Sequence, residues 1–175
     1  MGLEQLANLA EFISAIAVLV TLIYLAVEIR QNTKAVRGGT LAGNTEIWTN
    51  LLLQMAESEN LATYVSGSTG DADIKPKEFT QFLFYCRVLF VSFENQFYQH
   101  SNGTLDAEIY AGYERSLSDE LLAFRGFRMY WKLHRHVFSP AFVERVDRLI
   151  ENIPEVPTEK LFVDWKQLAE KLQQQ

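Results

Sequence analysis

Arg87, Glu94 and Tyr98 stand at steps of seven and four residues, with Asn95 beside Glu94 and Gln99 beside Tyr98. On an α-helix that spacing gathers a cation, a carboxylate and a phenol along one stripe. A buried ion pair next to a phenol could bind a small polar ligand, or supply a carboxylate with a shifted pKa for acid–base work. The same groups could equally form a hydrogen-bonded network that fixes how helices dock. The residue types leave both readings open, with the structural one leading.

A second set is basic. Arg125, Arg128, Trp131, Lys132 and Arg135 form the one locally basic segment of an acidic stretch, and Arg128, Trp131 and Arg135 share a helix face. Such a patch could hold a phosphate, a lipid headgroup or an acidic partner. Its ordinary use would be salt bridging to the chain's own excess of Asp and Glu. His134 and His136 are two positions apart, so on a helix they point about 200° from each other and do not share a metal. His100 is remote in sequence. Residues 37–43, RGGTLAG, lack the Lys-Ser/Thr pair of a phosphate loop, and there is no G-x-S-x-G or Cys–His arrangement. No catalytic residue, metal or cofactor is assigned.

These sets follow an N-terminal run that bears on where the chain works. Phe12 to Val27 is sixteen residues without a charge, bounded by Glu11 and Glu28. As a helix it covers roughly 24 Å, slightly short of a bilayer core of about 30 Å. Leu9, Ala10 and Ile29 extend it to membrane length if the flanking glutamates snorkel. A signal peptide would want a basic start and a small-residue cleavage site, whereas Glu4 and Glu11 precede the run and LAVEIRQ follows. The core helix of a soluble domain is the bland alternative, and a membrane span is the leading one. Arg30, Lys34 and Arg37 follow on one helix face, suited to lipid headgroups or to plain solvent. With no Lys or Arg before the run, the positive-inside rule places the N-terminus outside and the remainder in the cytoplasm.

A polar stripe runs through the same segment. Ala10, Ser14, Ala17, Thr21, Tyr24, Glu28, Gln31 and Ala35 alternate steps of four and three. Small and hydroxylated faces favour close helix contact in lipid, and a seven-residue repeat favours a left-handed bundle. Self-association through Ser14, Ala17, Thr21, Tyr24 and Glu28 is the main expectation, and a pore lined by that stripe is the sharper one.

Composition narrows the remainder. The chain has 175 residues and a formal charge of −6. Three acids and three bases cancel in the first forty residues, so the later part carries the whole deficit. That argues against nucleic acid as a partner, which calls for clustered positive charge. One cysteine, Cys86, rules out an internal disulfide framework.

Four prolines, all beyond residue 75, and no strand-like alternation predict an all-α chain. Gly38-Gly39 predicts a kink or break after a first helix from about Glu4 to Val36. A second helix is expected over Leu41–Ser58, facing inward with Ile47, Trp48, Leu51, Leu52 and Met55. A loop follows over Ser66–Lys75. The helix Lys77–His100 is apolar on most sides and reads as the core, or less readily as a second span, since Arg87 sits mid-run. Asp106 caps a helix to about Leu117, and a short one restarts at Ser118 or Asp119. Gly126 breaks it, Phe127–Val137 follows, and Ser139-Pro140 opens a helix through Ile153. Pro154 and Pro157 mark a linker. Thr158 caps an amphipathic helix with Leu161, Phe162, Trp165, Leu168 and Leu172 on its apolar side, and Gln173–Gln175 fray.

Two blocks carry a likeness. They are LAEFISAIAVLVTLIYLAVEIRQNTKAVR, Leu9–Arg37, and the series FENQFYQ (Phe93–Gln99), GTLD (Gly103–Asp106), YERSL (Tyr113–Leu117), GFRMYW (Gly126–Trp131) and FSPAFVERVD (Phe138–Asp147). The chain resembles a widespread group of uncharacterised bacterial proteins with an apolar N-terminal helix, an IRQNT-like basic flank and a small helical domain. The resemblance implies that architecture and brings no activity with it.

The expected organisation is a membrane-spanning helix with its basic flank over residues 1–37, a cytoplasmic bundle over 38–153 and a Pro-linked amphipathic helix over 154–175. The expected function is a membrane-anchored homo-oligomeric interaction module without catalysis. Its partners would be the bilayer, itself and an unidentified protein or small ligand. The rivals are an oligomeric channel, and a ligand sensor or enzyme built on Arg87 and Glu94.

Overall fold

Helices take up 85% of the chain, and the described residues contain no strand. The computed structural model describes residues 2–173, apart from the side chains of Gln5, Leu6, Ala7, Leu9, Ser58, Glu59 and Leu161. The expected contributions of the Leu9 and Leu161 side chains, and of Gln174 and Gln175 to a frayed tail, lie outside the described residues. Seven α-helices are present among them, and the chain divides into two units, Met1–Ala42 and Gly43–Gln175.

The first helix, α1 (Leu3–Ala56), passes through Gly38, Gly39 and Gly43 without a break. This corrects the expected interruption at Gly38-Gly39. A mid-helix glycine costs about 1 kcal/mol relative to alanine but keeps its N–H, so the hydrogen-bond ladder survives it. No proline stands before residue 76 to do more. The chain leaves the helix at Glu57, in extended conformation, and α2 (Ser58–Thr69) follows.

α2 runs on past Ser66, where a loop was expected. Ser68 and Thr69 hydroxyls donate to the Val65 and Ser66 carbonyls. The helix stops at Gly70, whose φ of 69° suits the left-handed cap, with its N–H on the Gly67 carbonyl. α3 (Pro76–Ser101) begins with its proline at the first position, where the missing N–H has no partner to lose. It ends at Asn102 and Gly103, the latter at φ 77°.

Asp106 accepts from the Glu108 N–H at 2.9 Å and opens α4 (Ala107–Arg115). Where a restart was expected, Ser116–Leu122 widens into a π-helical turn. The Ser118 hydroxyl donates to the Glu114 carbonyl, and Leu117, Leu121 and Leu122 all turn inward. The break expected at Gly126 falls at Ala123 and Phe124, and Gly126 is the second residue of α5 (Arg125–His134). A short 3-10 turn leads to α6 (Pro140–Asn152), and α7 (Lys160–Gln173) closes the chain, with Thr158 in the turn before it.

In the second unit α3 supplies the middle of the core. Phe82, Cys86, Leu89, Phe90 and Phe93 are buried there among Leu117, Leu122, Phe127, Trp131, Phe142 and Val146. Phe90 stacks between Tyr130 and Trp131 at centroid distances of 5.4 and 5.2 Å. Burial does not follow apolar character throughout. Phe79, Val88 and Val91 are exposed, as are Ile47 and Leu52 of α1, while the polar Gln96 and Ser92 are buried.

Two glycines permit the closest helix crossing. A Cβ at Gly126 would stand 1.8 Å from the Gly67 carbonyl oxygen, and one at Gly67 would stand 2.2 Å from the Phe82 ring. Gly126→Ala must therefore push α5 off α2, costing about 1–3 kcal/mol as overpacking does. Gly112, with nothing within 4 Å, is the control, and Gly112→Ala should hold or gain up to about 1 kcal/mol. Denaturant melts of the three chains in one detergent decide it, and equal midpoints for Gly126→Ala and wild type would refute the tight crossing.

Candidate functional site

The surface with the least explanation in the protein itself is the apolar part of α1. The best 18-residue window of the helix has mean hydropathy 2.4 and is 0% buried. Phe12, Leu19, Val20, Ile23 and Tyr24 are each more than half exposed. A helix of roughly 24 Å length and 10 Å diameter has a flank of about 750 Å². Apolar patches on soluble monomers rarely exceed about 300–600 Å². Water is therefore a poor neighbour for this segment.

The predicted stripe Ser14, Ala17, Thr21, Tyr24 and Glu28 is exposed along one side. The Ser14 and Thr21 hydroxyls donate at 2.8 Å to the Ala10 and Ala17 carbonyls of their own helix. That bond satisfies a hydroxyl without water. Arg30, Lys34 and Arg37 are exposed in turn and line a shallow groove with Ile29 and Thr33. No ion pair joins any of the three among the described residues, so their charges remain available to an outside anion.

The polar set of α3 is split. Arg87 is exposed and lies over the Phe138 ring at 4.9 Å. Glu94 is half-buried and accepts the Ser139 N–H at 2.6 Å. Both thus hold the connection between α5 and α6, with no ion pair between them among the described residues. Tyr130, below Arg87, has its phenol pushed up by burial, and the guanidinium opposes that shift without making a well-formed hydrogen bond. Asn95 and Tyr98 face outward.

Within the basic set, Arg128, Trp131 and Arg135 are engaged by the protein's own acceptors. Arg128 donates to the Leu122 and Ile153 carbonyls at 2.5 and 2.6 Å. The Trp131 indole N–H and the Arg135 guanidinium share the Asp147 carboxylate at 2.8 and 2.6 Å. Asp147 of α6 stands where an external anion would sit. Cys86 is fully buried, and burial pushes its thiol well up, which leaves it unreactive.

The most developed polar cluster lies where no candidate was expected. Arg145 of α6 grips Glu114 of α4 through two bonds of 2.6 and 2.5 Å, and the Tyr110 phenol donates to Glu114 at 3.1 Å. The His100 ring stacks on Tyr110 at 4.3 Å. The Arg145 bonds hold the Glu114 carboxyl below its usual range, against burial. Burial, then the Glu114 charge, pushes the Tyr110 phenol up, and Arg145 partly offsets this. The Tyr110–Glu114 spacing of four was the available signal, and Arg145 could be joined to it only through the packing of α6. Nearby, Asn44 donates to Gln99 at 2.8 Å, while Trp48 Nε1, Gln96 Oε1 and His100 Nδ1 have no partner among the described residues. The cluster's groups bond to one another across α4 and α6, which is the chemistry of a brace between helices.

Among the described residues no group of three or more His, Cys, Asp or Glu side chains is placed to hold a metal ion. Comparison with protein-family models, curated proteins and solved structures finds no match.

Glu114 is more acidic folded than unfolded, so its stabilisation is complete above about pH 5 and is lost as the pH falls through its lowered folded value. Glu114→Gln should cost about 1–2 kcal/mol at pH 7 and flatten the acid limb of the stability curve below about pH 5. Denaturation series across that range would show it, and an unchanged limb would disprove the brace. Glu94→Ala should cost about 1 kcal/mol by baring the N–H of Ser139, the N-cap of α6, read as a lower midpoint in denaturation at pH 7.

Proposed function

We propose that this protein is a membrane-anchored, homo-oligomeric helical module that works through assembly and binding, with α1 as its anchor. The uncovered apolar flank of Phe12–Val27 carries the reading. A bilayer takes that surface out of water around the full circumference of the helix, which a single protein neighbour cannot do. The free cluster Arg30, Lys34 and Arg37 lies immediately beyond it, where cationic residues meet anionic headgroups. Charge asymmetry places the N-terminus outside and Gly43–Gln175 on the cytoplasmic side. The acidic Glu4 and Glu11 before the run and the LAVEIRQ at its end favour a retained anchor over a removed leader.

Assembly rests on the stripe Ser14, Ala17, Thr21, Tyr24 and Glu28. Its small members permit close approach of two backbones, and its hydroxyls are already satisfied internally. The Arg87, Glu94, Arg128, Trp131 and Arg135 side chains bind other parts of the second unit, which favours a scaffold over an enzyme.

The chain should sediment with membranes, resist alkaline extraction and require detergent for solution. Mass measurement in detergent should give a multiple of 20.1 kDa, and Ala17→Phe should reduce it. A detergent-free soluble monomer would overturn the anchor, and an unaltered mass for Ala17→Phe would overturn the interface.

A further inference from the structure

α7 is amphipathic, and its apolar face is left uncovered by the described residues. Phe162, Trp165, Leu168 and Leu172 follow at steps of three, three and four on one side, and are 62%, 71%, 56% and 61% exposed. Every described side chain of the helix except Ala169 is exposed. Isolated helices shorter than about 12–15 residues are marginal in water, because little offsets the cost of their nucleation. This one has 14 residues, so its apolar face needs a cover.

Charge indicates which cover. Lys160, Lys166 and Lys171 stand against Asp164 and Glu170, a balance of +1, whereas residues 38–159 hold seventeen acids and ten bases, a balance of −7. Asp164 is already tied to Lys160 at 3.2 Å. The Lys166 ammonium lies 4.6 Å from the Phe162 ring centre, so its stem follows the margin of the apolar face. That posture lets an ammonium reach a phosphate while the ring enters the acyl boundary. An aromatic pair between lysines is also the composition that settles at a headgroup layer. The linker is pinned to the bundle by the Val156 N–H on the Ala123 carbonyl at 2.9 Å, and Lys160 and Asp164 border a cleft with Tyr64, Glu120 and Phe124, while the Phe162–Leu172 face of α7 remains exposed.

We propose that α7 lies along an anionic lipid surface. Phe162, Trp165, Leu168 and Leu172 sit at the headgroup–acyl boundary, and Lys160, Lys166 and Lys171 meet lipid phosphates. The proposal rests on the anchoring reading only for bringing a bilayer within reach. Its chemistry is that of α7 alone.

The test is amide exchange on the full chain in nanodiscs of phosphatidylglycerol or of phosphatidylcholine, followed over residues 12–27 and 160–173. In the anionic discs, exchange over 160–173 should be at least about tenfold slower than in the neutral ones. The slowing should vanish in Trp165→Ser and in a chain carrying Lys160→Glu, Lys166→Glu and Lys171→Glu. Both variants should keep the wild-type melting temperature, since α7 adds nothing to the core. Equal exchange of 160–173 in the two discs, with 12–27 protected in both, overturns the proposal and spares the anchor. Protection that follows the number of chains per disc and ignores lipid charge assigns the face to a second copy and also overturns it. Free exchange over 12–27 defeats the anchor. Phosphatidylglycerol vesicles added from outside then decide α7 by themselves, protection of 160–173 upholding the proposal and its absence ending it.

Discussion

Apolar surface has to leave water, and the apolar flank of α1 is left bare by the protein itself. Much else depends on that one constraint. On the reading proposed above, it sets the first unit in a bilayer and brings Arg30, Lys34 and Arg37, which have no ion pair among the described residues, against anionic headgroups. The proposed assembly through the Ser14–Thr21 stripe rests on the same constraint, because in lipid the contrast between small and bulky faces is what sorts one helix against another.

The second unit meets the same constraint inwardly. α3 is apolar on several sides, and aromatic rings from α5 and α6 close around it, with Phe90 held between Tyr130 and Trp131. The charged groups at the edge of this core serve its geometry. Asp147 gathers Trp131 and Arg135, Glu94 caps α6, and Arg145 joins α6 to α4 through Glu114. Ionic groups used in this way specify one docking of the helices, because a misplaced helix would leave a half-buried charge without its partner.

Local signals read well where local physics decides. Pro76 and Pro140 each begin a helix, Asp106 caps one, and Gly103 takes the positive φ that ends α3. The misreadings also have local reasons. Gly38-Gly39 weakens a helix without removing a hydrogen bond, so α1 continues. Gly67 and Gly126 look like turn formers, yet both lie in helices, where the absent Cβ lets α2 and α5 touch. Ser118 resembles a cap, but it satisfies a carbonyl within a widened turn. Each error treats a small residue as a statement about its own backbone when its role is set by a neighbour distant in sequence.

The amino-acid sequence by itself determined the helical class, most helix starts, the uncharged run and its asymmetric flanks, since propensity, capping and hydropathy act over a few residues. Only the tertiary structure decided which polar groups meet. Arg87 and Glu94 share a stripe but reach toward Phe138 and Ser139, and Arg128, Trp131 and Arg135 close on internal acceptors. Arg145 finds Glu114 across 31 positions. Charge pairing depends on distance in space, which helical periodicity fixes along one element and packing alone fixes between two.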